Sequence, residues 1–253
     1  MEMRDAIVAR RSVRTYTGEP LKESLIEQLL EFIGGITPLH DNIPVDIELY
    51  ERGDFIMDFS RSFFCRANDL IVIRSARNID GYLQNVGFIG EQIILWLTHK
   101  GVGSCWVGMT KQKKPPTRGE LPFVIAIQFG RSDNAPFRRL PEESPRMKLH
   151  EVLMNQISRP NFLRVLDAGR LAPSVLNLQP VRYFTINDNI YIYRKPAPFD
   201  SEKLDEMQQI DVGAAMANMY VECDGECVFV RQRTAPVPPE KCFYEYTMIP
   251  DKA

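Results

Sequence analysis

Pro44-Val45-Asp46-Ile47-Glu48-Leu49 opens on a proline and then alternates apolar and polar residues, the pattern of a half-buried strand. After 136 residues the opening pair returns as Pro180-Val181, at the head of another apolar run. The same offset lays Leu30-Glu31 over Leu166-Asp167. Further on the correspondence shifts to 122 residues, pairing Gly103-Ser104-Cys105 with Gly225-Glu226-Cys227, as if one half carried an insertion. An ordered self-similarity of this kind predicts two similarly built halves, about 1–148 and 149–253, within one domain of residues 1–253.

The elements between these anchors agree. A short helix near residues 2–11 leads into the β-branched stretch Val13-Arg14-Thr15-Tyr16-Thr17, and Leu25, Ile26, Leu29, Leu30 and Ile33 recur at helical spacing until Gly34-Gly35. Leu70-Ile71-Val72-Ile73 suits a buried strand, and residues 82–99 form a long apolar helix. Gly87 and Gly90 lie inside that helix, where glycine costs about 1 kcal/mol relative to alanine. They imply close approach, either by a crossing helix or by a flat ligand. Glycine-punctuated residues 101–108 and a strand over 123–129 complete the first half, and the Pro- and charge-rich stretch 131–148 connects it to the second. There a helix follows Pro160, a polar loop spans 171–180, and strands are expected at 181–186, 190–193, 228–230 and 243–249 around a helix near 203–222.

Composition narrows the classes. The 253 residues are 44% hydrophobic with a formal net charge of -2, enough to bury a full core and too little positive charge for a nucleic-acid binder working through a general basic field. The first residues carry no apolar signal region and no run approaches 18 apolar residues, so no membrane is expected and the cytoplasm is the expected compartment. Five cysteines without a CxxC pair point to reduced thiols. Cys223 and Cys227 could share a metal only if helical, and Asp224-Gly225 reads as a turn, so no metal is assigned. His40, His99 and His150 show no ligand or catalytic spacing.

Basic charge is instead local. Arg10-Arg11-Ser12-Val13-Arg14 places three guanidinium groups and a hydroxyl together at a helix exit. Were the segment helical, Arg10 and Arg14 would be repelling i, i+4 neighbours that an anion between them would relieve. The planar forks of arginine match phosphate oxygens, and a solvated basic helix end is the plainer reading of the same residues.

Taken together, the basic RRSVR segment, the loop Ala172-Pro173-Ser174-Val175-Leu176-Asn177-Leu178-Gln179-Pro180 and the glycine-rich segment after a long helix resemble the FMN-dependent nitroreductases. The resemblance implies an α+β fold, an α/β/α sandwich around a central mixed, mainly antiparallel sheet, here as two pseudo-repeats in one chain. In that family two subunits build each flavin site, one giving the basic motif and the other the APSxxN loop. Here Arg10 to Arg14 stand in the first half and Ala172 to Pro180 in the second. The first-half loop counterpart, Thr37-Pro38-Leu39-His40-Asp41-Asn42, and the second-half motif counterpart, Arg146-Met147-Lys148-Leu149-His150, both depart from the pattern. One FMN per chain follows, with a monomer possible because the halves mimic the family dimer.

By the same resemblance Arg10, Ser12 and Arg138 or Arg139 hold the FMN phosphate, and Arg11 adds backbone or packing contacts. Arg14 lies beside the pyrimidine end of the flavin as the catalytic cation, and Val107-Gly108 face its N5. Pro173, Ser174 and Asn177, with Gln179, close the site. NADH or NADPH is the transient donor, and a nitroaromatic or quinone the acceptor. An FMN-storing or sensing protein with little turnover, and a chain that has lost the site, are the other readings.

Overall fold

A computed structural model of the chain describes residues 1–51, 57–58, 69–108, 111–112, 120–132, 137–238 and 241–251. Helix α1 (Met3–Ala9) begins where the Asp5 carboxylate accepts the Glu2 backbone N–H at 3.0 Å, and it ends as Arg10 turns extended at φ -59, ψ 131. The basic motif is therefore an extended segment: Ser12 forms a parallel bridge with Ser104, and Val13 N–H donates to the Ser104 carbonyl at 2.9 Å. Arg10 and Arg14 are not neighbours on a helix face.

After α2 (Glu23–Gly34) come β1 (Val45–Glu51), the two-residue β2 (Met57–Asp58), β3 (Asp69–Ser75), α3 (Tyr82–His99), β4 (Gly103–Val107), the two-residue β5 (Lys111–Gln112) and β6 (Phe123–Gly130). The second half supplies α4 (Leu149–Val152), α5 (Phe162–Arg170), β7 (Val181–Ile186), β8 (Asn189–Arg194), α6 (Glu202–Glu222), β9 (Cys227–Val230) and β10 (Phe243–Pro250). The fold is α+β. Where one central sheet is expected from the resemblance, the described strands divide into two four-stranded antiparallel sheets, one per half, ordered β1-β3-β6-β4 and β7-β8-β10-β9, and an antiparallel pair of β2 and β5. Each four-stranded sheet runs first, second, fourth, third, with a long helix between its second and third strands. Cys65 lies outside the described residues.

These two long helices, α3 and α6, form the centre. Residues 83–98 of α3 are all buried, so its apolar face has no outer side. One cluster packs α3 on Ile71, Ile73, Ile125 and Ile127 of the first sheet, and another packs Val212, Ala215, Met216 and Met219 of α6 on Tyr183, Ile192 and Tyr246 of the second. At full burial each Val, Ile or Met side chain among these contributes about 1.5–3 kcal/mol. Gly87 and Gly213 lie in the helix crossing, which accounts for Gly87 by close backbone approach, whereas Gly90 makes room for the Trp106 ring. The helix crossing explains Gly87, and the Trp106 side chain explains Gly90.

The turn at Asp224-Gly225 is left-handed at both residues, with φ 52 and 82, so Cys223 and Cys227 are not on one helix face. The two thiols still influence each other, the Cys227 side chain being the main cause that lowers Cys223. Among the described residues no cluster of three metal-ligating side chains occurs, and no helix is long and apolar enough to cross a membrane.

Candidate active site

A cavity of about 490 Å³ opens between the halves. From the first half it takes Arg10, Arg11, Ser12 and Arg14 and the β4 edge through Val107 and Gly108; from the second it takes Pro173, Ser174 and Asn177. Residues far apart in sequence thus share one space. Arg138 enters from the connection, anchored as its backbone N–H donates to the Ala9 carbonyl at 2.9 Å and its Nη1 to the Arg10 carbonyl at 2.6 Å.

Two expected residues lie elsewhere. Arg139 lines a separate groove with Arg4, Leu149 and Leu163, which Arg138 also borders, and of the two only Arg138 reaches the cavity. Gln179 braces the loop: its Oε1 accepts the Met147 N–H at 2.6 Å and its Nε2 donates to the Asn177 carbonyl at 3.2 Å.

The loop over the cavity is strained and heavily tied. Leu176, Asn177 and Gln179 have φ of 49, 57 and 49, a region disfavoured for residues with a side chain. Such a conformation persists where surrounding bonds over-determine it. Here Asp211 of α6 accepts the Val175 N–H at 3.0 and 3.1 Å, Ser174 Oγ accepts the Gln179 N–H at 2.9 Å, and Asn177 donates to the Pro145 carbonyl at 3.0 Å. Asn177 Oδ1 in turn accepts from Arg146 Nη1, so both ends of its amide are engaged within the protein. The first half repeats the device: Asn85 of α3 accepts the Leu39 and His40 N–H groups at 2.9 and 3.1 Å, and Leu39 stands 136 residues before Val175.

The sequence reading missed Arg146, Trp106, Asp211 and the α6 residues Met207, Ile210 and Ala214, all of which line the cavity. It also missed Glu91, which lies behind it, fully buried in α3. The signals were present. Asp211 interrupts the apolar face of α6, Glu91 is a lone carboxylate inside an apolar helix, and Arg146 stands at the repeat offset from Arg10.

The electrostatics are unusual. Arg10, only 3% exposed, has its Nε 3.6 Å from Glu91 Oε1, while Glu91 Oε2 accepts from Trp106 Nε1 at 2.9 Å. Burial pushes the Glu91 carboxyl up to about 7 although Arg10 and Trp106 oppose the shift. Burial also raises Asp211 well above the usual carboxylate range, against the Val175 N–H and Arg146. Arg138 and Arg146 are lowered to about 10, first by burial and then by Arg10. Arg10 Nη2 is buried with no hydrogen-bond partner among the described residues.

A family model described as "Putative TM nitroreductase" matches residues 2–223. The chain belongs to this nitroreductase family, a class of oxidoreductases. In structure it resembles a "putative nitroreductase" from Thermotoga maritima MSB8 with a TM-score of 0.68 and 21% identity, over 100% of this chain and 95% of that one, which shows a common fold. A partial likeness extends to an FMN-dependent nitroreductase from Clostridium difficile R20291, with a TM-score of 0.45 and 15% identity over 60% of this chain and 99% of that one. No curated protein sequence matches.

Proposed function

We propose that the cavity binds one FMN and that the chain is an FMN-dependent oxidoreductase, passing electrons from NADH or NADPH to a flat electron-poor acceptor such as a nitroaromatic or quinone. One observation carries the reading: a buried arginine with an unpartnered Nη2, Arg10, and the half-buried Arg138 converge on a cavity whose other wall is the strained loop of the opposite half. A buried unpaired cationic donor is costly unless an anion meets it, and a phosphate fits. The volume is that of a small-ligand site.

Arg10, Ser12 and Arg138 would hold the phosphate, Val107 and Gly108 would border the flavin ring, and Pro173 and Ser174 would cover it. When bound, FMN supplies the two-electron chemistry, so no general acid or base is required of the protein. Arg14, exposed and lining the cavity, would stabilise negative charge developing on the reduced ring. Asn177 would act chiefly by holding the loop, since its amide is already engaged.

A single site per chain is part of this reading. The shared strand order, the matched Asn85 and Asp211 anchors and the paired helix glycines support an internal duplication. Around the first-half loop, His40 Nε2 instead hydrogen-bonds Tyr246 OH at 2.7 Å, and the Arg231 guanidinium covers the Tyr246 ring at 4.7 Å. A chain with both walls of its site has no need of a partner subunit, which supports a functional monomer.

Anaerobic mixing of the FMN-loaded protein with NADH or NADPH tests turnover. Prompt bleaching, followed by recovery of colour on adding a quinone, is expected. Flavin that stays oxidised for hours would support a storage or sensing protein instead.

A further inference from the structure

We propose that Arg146 is a third phosphate-binding arginine of this site, and that the three-arginine subsite it completes with Arg10 and Arg138 selects a phosphate monoester over its unphosphorylated counterpart. The inference rests on the flavin reading above and adds a residue and a specificity to it.

Arg146 stands 136 residues after Arg10, the offset that relates the two halves, at the head of a segment that has otherwise lost the basic motif. The fold brings it into the same cavity as Arg10 and Arg138. Its Nε donates to the Ala172 carbonyl at 2.9 Å and its Nη1 to Asn177 Oδ1. These two bonds fix the guanidinium plane at the wall of the cavity. The second-half copy therefore gives the surviving site one rigid, pre-oriented cation.

Charge balance points the same way. Arg10, Arg138 and Arg146 are close enough for Arg10 to depress the other two, and burial adds to the cost of keeping Arg138 and Arg146 charged. Glu91 and Asp211 face the cluster, and burial drives both toward their neutral forms. The protein's own carboxylates thus leave the subsite electropositive, and Arg10 Nη2 stays unpartnered. A phosphate dianion would supply the missing charge and acceptors together, in the planar geometry that arginine prefers. An uncharged ribityl alcohol would not.

The test uses flavin-free protein, the variants Arg146→Met and Arg146→Lys, and three probes: FMN, riboflavin and inorganic phosphate. If Arg146 binds phosphate, Arg146→Met weakens FMN about 10- to 100-fold while riboflavin moves less than about threefold, and Arg146→Lys falls between. Thermal protection by inorganic phosphate should fall in parallel. Equal weakening of FMN and riboflavin would make Arg146 a loop latch only and overturn the proposal, as would no change in either. Should Arg146→Met fail to fold, the Arg146→Lys comparison decides in the same way. If the natural chain takes no flavin but binds phosphate in an Arg146-dependent manner, the subsite stands and the flavin reading falls. Absence of both would sink both.

Discussion

Gly87 of α3 and Gly213 of α6 meet across the helix crossing, each against the carbonyl three residues before the other. A methyl group added to Gly87 would lie 2.1 Å from the Ile210 oxygen, and one added to Gly213 would lie 2.1 Å from the Gln84 oxygen. This contact sets how near α6 stands to the first half, and so where Met207, Ile210 and Asp211 meet the cavity. Because the obstacle is backbone, it cannot rotate aside as a side chain would. Gly213→Ala should therefore cost on the order of 3 kcal/mol, the upper range for overpacked cores. Urea unfolding should show this as a lower midpoint with an unchanged slope. A loss below about 0.5 kcal/mol, the size of an ordinary surface substitution, would contradict the crossing described here.

Arg138 and Arg139 are adjacent in sequence and both border the outer groove, but only Arg138 also lines the cavity. Arg138→Ala should weaken FMN binding by about 10- to 100-fold, one lost charged hydrogen bond or more, whereas Arg139→Ala should leave it nearly unchanged. Fluorescence titration of flavin-free protein measures both. The reverse order would place the phosphate in the groove lined by Arg139.

Asp211 holds the strained loop through a single backbone donor, Val175 N–H. Asp211→Ala leaves that donor unsatisfied, at a cost of about 1–3 kcal/mol. Faster proteolytic cleavage within residues 174–178 is the expected readout. Asp211→Asn should be mild, because Asn85 performs the same task in the first half with an amide oxygen. Equal harm from both variants would mean that the negative charge, rather than the hydrogen bond, is what matters.

Glu91 links stability to pH. Its carboxyl titrates at about 7 in the folded chain against an ordinary 4.5, so the folded state retains a proton that the unfolded state releases across this window. Stability should fall as pH rises from 4.5 through 7, by on the order of 3 kcal/mol for this group. Asp211, also raised, acts in the same direction. Glu91→Gln keeps an acceptor for Trp106 and removes one titration, so the flavin-free variant should show a flatter stability profile between pH 5 and 8. A profile as steep as that of the natural chain would show that Glu91 is not the titrating group.

Much of this architecture was legible in the residues. Hydrophobic periodicity located α3 at residues 82–99, and the Pro-Val pairs located β1 and β7, because these signals are local. The basic motif and the proline-bounded loop marked the two walls of the cavity. Sheet partition was not legible, since which strands pair depends on contacts between distant segments. Arg146 and Asp211 escaped for a related reason: their value comes from a cavity formed only when the halves close. Arg139 was indistinguishable from Arg138 in sequence, and only the folded chain shows that Arg138 alone of the two reaches the cavity. Gln179 looked like a ligand contact because a polar side chain in a loop does not announce that its partner is Met147 N–H.

The claim that two unlike halves build one flavin site is tested most directly by titrating flavin-free protein with FMN and counting flavin bound at saturation per chain by absorbance and native mass. Saturation at one FMN per chain, abolished by Arg10→Ala, is the expected result. Two flavins per chain would show that the loop around His40 still serves a second site, and no binding at any concentration would show that the cavity is not a flavin site.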